Sequence, residues 1–462
     1  MRRFVPYVCV LGCVLVFAGF CVAQTTTATM FGVVRDSSSA VMPQAKATAR
    51  NVSTAFERSA TTDDTGSYLI TSLPVGQYSL AVEKAGFRRS IQDGITLEVN
   101  ANARVDAVLS VGQLSESVTV TGEATGVDTR SSTMGEVVDR IRVQELPLSG
   151  RNIMELSRVV PGVIRVDAPT AVTQARSGSQ ITVAGGRDTE NEFRLDGTSQ
   201  KNLTHNSALN FPSPDALQEF KVLTSNYSAE YGRYGGGVFV AVTRAGTNKL
   251  HGSMWEYLRN KALNARNFFS ADKPDLKQNQ FGFTVGGPAI QNRTFFFGSY
   301  QGLRVRASQL FSTALPPTAA ERTGDFSASS RKPTDPVTNQ PFPDSRIPSN
   351  RFDPVAVKLI ERYIPLPNSP DGRWVQLSTA PTDADQYLFR LDHNFSSTNN
   401  INLRYFRDIS GLISQSGNIA PYGQYRQSLR VTNWALQDTH TFSPKLLNEF
   451  RLGVMRVDSK VT

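Results

Sequence analysis

Residues 181–197 read ITVAGGRDTENEFRLDG, and residues 220–248 read FKVLTSNYSAEYGRYGGGVFVAVTRAGTN. The first stretch predicts a strand bent at Gly185 and Gly186, then a second short strand ending at Leu195, Asp196 and Gly197. In the second, a turn dense in tyrosine and glycine, Tyr227 to Gly237, feeds an alternating strand from Val238 to Thr243. Glycine in a strand pattern marks a bulge or a close backbone approach. The run Gly235-Gly236-Gly237 lacks the Gly-Lys-Ser/Thr and the helix that a phosphate cradle requires. The better reading is a tightly folded sheet edge packed inside something larger. Beyond Asn248 the aromatic pattern resumes at Trp255 and Tyr257.

The N-terminus carries an export pattern. Arg2 and Arg3 precede an apolar run from Val8 to Phe20, and Cys21-Val22-Ala23 places small residues before Gln24, which predicts a signal peptide over 1–23. Phe20 stands where a lipoprotein signal needs a small residue, so simple cleavage is the preferred reading, with an uncleaved anchor as the alternative. The three cysteines, Cys9, Cys13 and Cys21, all lie in this leader. A disulfide scaffold, a thiol nucleophile and a cysteine metal site are therefore excluded from the rest of the chain. No later stretch has the roughly 18 consecutive apolar residues of a membrane helix, so any later membrane contact is expected of strands. The 462 residues leave room for two or three domains, and their net charge of +9 is spread along the chain. Setting Arg2 and Arg3 aside leaves 47 basic and 40 acidic residues. Without a Lys/Arg block or basic helix, nucleic acid is not expected as a partner.

Residues 24–111 read as a small β-sandwich. Short alternating runs at Phe31–Val34, Tyr68–Ile70, Tyr78–Val82 and Val105–Leu109 are separated by turn signals at Asp63-Asp64-Thr65-Gly66 and Leu73-Pro74-Val75-Gly76. Asp63 and Asp64 are read as turn formers ahead of calcium ligands. Leu114 to Gly122 is polar, β-branched and extended, within a linker over 112–136. Farther on, Ile153, Leu156 and Val160 share one helical face that Pro161-Gly162 terminates, and Arg151 is expected in a structural ion pair. Asn202 to Pro214 reads as a polar loop.

From His251 the rhythm is that of membrane strands. Tyr387, Phe389 and Leu391 alternate with Leu388, Arg390 and Asp392; Ile401, Leu403 and Tyr405 alternate with Asn402, Arg404 and Phe406; Phe450, Leu452 and Val454 alternate with Arg451, Gly453 and Met455. Apolar-out and polar-in is what lipid outside and water inside require. Roughly seven strands are expected, interrupted by a long proline-rich loop at about 306–385 that contains one short helix over Asp353–Tyr363.

The ordered series V-x-G-G-R-x(6)-R-L-D-G, E-F-K-V, Y-S-A-E-Y-G-R-Y-G-G-G, V-T-R-A-G-T-N and H-G-S resembles the plug of TonB-dependent outer-membrane receptors, and more narrowly the Oar-like group. The earlier G-V-V-R-D, T-D-D-T-G-S-Y-L-I, L-P-V-G-Q-Y-S-L and K-A-G-F resemble the carboxypeptidase-regulatory-like module, a name that implies no peptidase activity. The resemblance implies a mainly β chain: an N-terminal β-sandwich, an α+β plug domain over 137–248, and the first strands of an incomplete transmembrane β-barrel over 249–462. It also implies a TonB-box-like contact at Glu116, Ser117, Val118, Thr119 and Val120, a peptide that adds as a strand to the energising protein's sheet. The plug motif falls on Gly185, Gly186, Arg187, Arg194, Asp196, Gly197, Glu230, Tyr231, Gly232, Gly235 and Gly236. Asn202, His205 and Asn206 are the ligand-side candidates. Implied partners are the TonB energy-transducing complex, an extracellular small ligand or glycan, and outer-membrane lipid.

Seven strands do not enclose a plug, because a plugged lumen goes with about 22. An open sheet edge in lipid leaves backbone groups unpaired. The end, Asp458 to Thr462, lacks the aromatic terminus of such barrels, so the chain is expected to be the N-terminal part of a longer protein. No cofactor or metal is expected. The four histidines, His205, His251, His393 and His440, fit no zinc-peptidase spacing and no G-x-S-x-G elbow occurs, so no enzyme is expected. The rival reading is a secreted or periplasmic β-sandwich protein that binds carbohydrate or protein surfaces.

Overall fold

The computed structural model describes residues 26–112, 117–121, 133–146, 148–165, 180–232, 234–266, 273, 275–330, 332–415, 424–443 and 446–462. The signal-peptide residues and Glu116 lie outside them. The sandwich comprises β1 (Ala28–Asp36), β2 (Lys46–Asn51), β3 (Glu57–Thr61), β4 (Ser67–Leu73), β5 (Gly76–Glu83), β6 (Arg89–Leu97), β7 (Asn102–Arg104) and β8 (Ala107–Leu109). One sheet has the order β4-β1-β7, with β8 also on β1. The other runs β3-β2-β5-β6 and takes a fifth strand, β9 (Ser117–Thr121), on the edge of β6. The alternation seen in sequence packs Met30, Val34, Tyr78, Leu80, Ile95 and Leu97 between the sheets. Asp63 closes a turn, its Oδ1 accepting from the Thr65 and Ser67 backbone N–H groups at 2.9 and 3.0 Å.

The plug is built from β10 (Met134–Val138), helix α1 (Arg140–Glu145), β11 (Val163–Arg165), β12 (Ile181–Val183), β13 (Glu192–Leu195), β14 (Thr198–Ser199), β15 (Lys201–Asn202), β16 (Ser207–Ala208), β17 (Leu217–Ser225) and β18 (Val238–Thr243). Its main sheet has the order β10-β17-β18-β13-β14. The stretch expected as a sheet edge is thus corrected: β18 lies in the middle, between β17 and β13. Every residue of β18 is buried. Phe239 and Ala241 face the plug core, while Val238, Val240 and Val242 cluster with Val99 of the sandwich. The sandwich covers the second face of β18. The segment Ile153–Val159 is a 3-10 helix that buries Ile153, Met154 and Leu156, and Pro161-Gly162 ends it in a turn.

Seven antiparallel strands form the wall: β19 (His251–Asn260), β20 (Leu276–Ile290), β21 (Thr294–Ala314), β22 (Trp374–Asn394), β23 (Asn399–Gln415), β24 (Gln424–Ser443) and β25 (Leu446–Val461). Their sheet is open, running from β19 to β25 without closure. The loop expected at about 306–385 shrinks to 315–373, because β21 and β22 stay paired out to Ala314 and Trp374. It carries α2 (Ala319–Arg322) and α3 (Pro354–Tyr363), the latter capped by Asp353, whose Oδ1 accepts from Val355 and Ala356 N–H. On β25 the outward Phe450, Leu452 and Val454 are each about half exposed, the apolar face that lipid requires. The inward face departs from simple alternation with polar groups. Phe297, Leu388 and Phe406 point in and are buried in the plug core, because folded protein, not water, meets the wall there.

Short turns join β20 to β21, β22 to β23 and β24 to β25 at one end of the wall, and the long connections lie at the other. The sandwich sits at the short-turn end. Ser53 O accepts from Asn248 N–H at 3.0 Å, and Thr26 Oγ1 lies 3.4 Å from Arg451 Nη2.

Candidate functional site

The hairpin β13–β14 presents Asp196 to the wall. Asp196 and Gly197 form its two-residue turn with φ of 48° and 75°, the positive-φ geometry that tight hairpins use. The Asp196 carboxylate accepts from Thr243 N–H at 2.8 Å and Thr243 Oγ1 at 2.9 Å, which ties the turn to the end of β18. Its other neighbours come from the wall: Arg404 Nε at 2.9 Å and Arg390 Nη1 at 3.8 Å. Arg404 is 1 % exposed. Its Nη2 donates to Thr198 Oγ1 at 2.9 Å and Asn433 Oδ1 at 3.0 Å, and Asn433 Nδ2 donates back to Ser199 O and Gln200 Oε1. Arg390 pairs with Asp392 at 2.8 Å and donates to Thr243 O at 2.9 Å. Five residues of the plug and four of the wall thus share one largely buried polar network, in which each charge is held by several partners, as buried charges must be.

A second fastening lies at Arg151. It ion-pairs with Asp215, as expected of it, and stacks over the rings of Tyr257 (4.6 Å) and Trp255 (5.6 Å) on β19. A third joins plug to sandwich. Val99 N–H donates to Glu219 Oε1 at 2.5 Å, Lys221 Nζ donates to Val99 O at 2.8 Å, and Asn100 Nδ2 donates to Tyr231 OH. Burial pushes the Glu219 carboxyl up to about 8 from its ordinary 4.5, with Glu98 adding to the shift and the Val99 N–H and Lys221 opposing it. Between sandwich, plug and wall remains a cavity of about 180 Å³ of mixed lining, with Phe56, Val242 and Phe295 beside Asn51, Asp392 and Asn402.

The motif residues divide by role. Gly236 allows a close approach: a Cβ there would lie 2.6 Å from Asn191 Oδ1 and 2.8 Å from Glu190 O, whereas one on Gly235 would meet nothing within 4 Å. Gly185 turns with φ 77°, and Gly186 donates to Val183 O at 2.9 Å. Arg187 N–H reaches Glu190 Oε2 at 3.4 Å. Arg194 pairs with Glu192 at 3.1 Å and donates to Gly197 O. Glu230 and Tyr231 belong to a 3-10 turn that Gly232 ends, with Tyr231 buried.

Asn202, His205 and Asn206 lie along one turn. Asn202 Oδ1 accepts from Thr204 N–H at 3.0 Å, His205 is exposed at the tip, and Asn206 turns with φ 52°. Around that tip the expected polar loop is largely buried, as Leu209 packs on Leu429 and Val431 and Gln386 donates to Phe211 O. Among the described residues no group of three or more His, Cys, Asp and Glu side chains is placed to hold a metal ion, and no helix is long and apolar enough to cross a membrane.

Sequence reasoning singled out Asp196 but missed its wall partners. Arg390 and Arg404 were visible only as inward positions of the alternation, and Asn433 gave no signal. The sandwich contact through Val99, Glu219 and Lys221 was likewise unmarked.

Two outcomes follow from this geometry. Gly236→Ala is expected to cost about 1–3 kcal/mol, and Gly235→Ala to stay within about 0.5 kcal/mol, measured as the urea midpoint for protease protection of the plug in the full chain. For Glu219, the docked group binds its proton more tightly than the undocked one. Its contribution is therefore complete below about pH 4.5 and is lost as pH rises through about 8. Raising the pH is expected to expose the 98–101 segment to protease, and Glu219→Gln to abolish that dependence.

Three family models match consecutive parts of the chain: a carboxypeptidase regulatory-like domain over 29–110, a TonB-dependent receptor plug domain over 115–238, and an outer membrane β-barrel domain over 242–462. The TonB-dependent transporter Oar of Myxococcus xanthus is 27% identical over 304 residues, which cover 62% of this chain and 27% of that protein. The chain thus spans about a quarter of the length of this curated relative. Among solved structures, the outer membrane transporter YddB of Escherichia coli matches with a TM-score of 0.47 and 15% identity over 70% of this chain and 39% of that one. A mutant of the ferric enterobactin receptor PfeA of Pseudomonas aeruginosa matches with a TM-score of 0.42 and 12% identity over 71% and 40%. With a plug domain set against outer-membrane strands and a regulatory-like sandwich in front, the chain belongs to the TonB-dependent receptors of the outer membrane.

Proposed function

We propose that the chain acts in energy-coupled uptake of a scarce ligand, a siderophore, oligosaccharide or similar molecule, with residues 117–121 as the attachment point for TonB. The sandwich over 24–111, the plug over 137–248 and the wall from 249 are its working parts. Catalysis has no place in this reading. The observation that carries it is the position of β10. This strand is the margin of the plug sheet, paired antiparallel with β17 from Met134 opposite Ser225 to Val138 opposite Phe220. It is the first plug element reached along the chain from Ser117–Thr121. Tension arriving at Met134 loads this marginal pair before any other strand of the sheet that holds Asp196.

The plug–wall contact suits such a cycle. Its hydrogen bonds are exchangeable with water once the network is wetted, whereas an apolar seal would have to be torn as a unit. Attachment by strand addition draws on backbone groups and tolerates varied side chains, which fits the weak sequence signal of Ser117–Thr121.

The test uses Val118→Pro and Val120→Pro, each of which removes a backbone donor. In the full chain each is expected to weaken binding of the purified periplasmic domain of TonB by roughly tenfold or more. Binding equal to that of the parent chain would overturn the assignment.

A further inference from the structure

Ser117–Thr121 is not a free linker in this structure. It lies as β9 against β6, in parallel, with Ser117 opposite Arg89, Val118 opposite Ser90, Thr119 opposite Ile91, Val120 opposite Gln92 and Thr121 opposite Asp93. On its other side β6 pairs with β5, so β9 covers what would otherwise be the bare margin of the sheet. An uncovered margin of that kind is a ready template for an added strand. Here the strand comes from the same chain. The approach is pinned as well: Phe87 bridges Val111, Arg88 N–H donates to Ser110 O at 2.8 Å, and Gly112 N–H donates to Gly86 O at 3.2 Å. The pairing at Arg89 begins directly after these contacts. Only residues 113–116 separate Gly112 from Ser117, and so short a tether holds the segment at high effective concentration beside β6.

We propose that β6 is the resting acceptor of this segment, so that the sandwich competes with TonB for it. This inference rests on reading 117–121 as the TonB contact. Beyond occupying one edge of the strand, the pairing diverts load. β6 ends at Leu97, and two residues later Val99 is fastened to Glu219 and Lys221 of the plug. A pull on 117–121 while it is paired is borne by β6 and passed to the body of the plug at β17, bypassing β10. Only after release from β6 does tension run through residues 122–132 to Met134. The sandwich is thereby a clutch: engaged, it protects the plug from opening, and disengaged, it lets force reach the edge strand.

Two measurements on the full chain test this. The first needs no TonB: amide hydrogen exchange of 117–121 is expected to be slowed relative to the unpaired peptide, and exchange at the free-peptide rate would overturn the proposal. The second joins facing positions with the Ser90→Cys and Val118→Cys pair. No cysteine lies beyond Cys21, and neighbouring strands run about 4.8 Å apart, within the Cα separation that a disulfide spans. Oxidised, this variant is expected to bind the periplasmic domain of TonB about tenfold or more weakly, with reductant restoring the parent affinity in the same molecules. Equal binding in the oxidised and reduced forms would show that TonB uses the outer edge of β9, and competition would be refuted. Failure of the attachment reading itself is distinct: Val118→Pro and Val120→Pro would then leave binding to the parent level while amide protection of 117–121 persisted.

Discussion

Asp196 of the plug and Arg404 of the wall meet at 2.9 Å, the arginine fully buried and the carboxylate nearly so. Burying two opposite charges costs several kcal/mol per ion before their attraction is counted, and the cost is recovered only with close geometry and further hydrogen bonds. Those extra bonds explain much of the local architecture. Thr243 at the end of β18 supplies two donors to the carboxylate, Thr198 and Asn433 accept from the guanidinium, and the positive-φ pair Asp196-Gly197 turns the carboxylate toward the wall. Removing any one partner leaves a buried charge short of bonds. The plug's position against the wall is therefore specified by a small number of polar atoms, while Phe297, Leu388 and Phe406 supply the apolar surface around them.

The same chemistry orders the three bodies along the wall. The sandwich covers one face of β18 through Val99, and the other face looks into the plug core that Phe297, Leu388 and Phe406 of the wall complete. β18, buried on both faces, is the common member of the two interfaces. The end of the same strand, Thr243, donates to Asp196. This gives the N-terminal module a structural reason to sit in the same chain as the plug.

Much of this was legible in the sequence, for physical reasons that differ by region. The membrane strands were readable because lipid enforces outward apolar residues at period two, as at Phe450, Leu452 and Val454. Inward positions were less readable, since a plug accepts Phe406 as readily as Arg404. The Leu195-Asp196-Gly197 turn announced itself through residues that tolerate positive φ. Its partners did not, because Arg390, Arg404 and Asn433 lie about 200 residues away and carry no local pattern. The central place of β18 was hidden too. The stretch was read as a sheet edge, whereas β18 is paired on both sides and its second face is covered by a separate module. Asn202, His205 and Asn206 were legible as a turn, because short polar side chains bond their own backbone, as Asn202 does with Thr204.

The Asp196–Arg404 contact is the fastening of plug to wall. A double-mutant cycle with Asp196→Asn, Arg404→Gln and the pair together, read as the denaturant midpoint for protease protection of the plug in the full chain, tests it directly. The expected coupling energy is about 2 kcal/mol or more, with each single change far more disruptive than the second change made on top of it. Strictly additive effects, or single changes that leave the midpoint where it was, would contradict it.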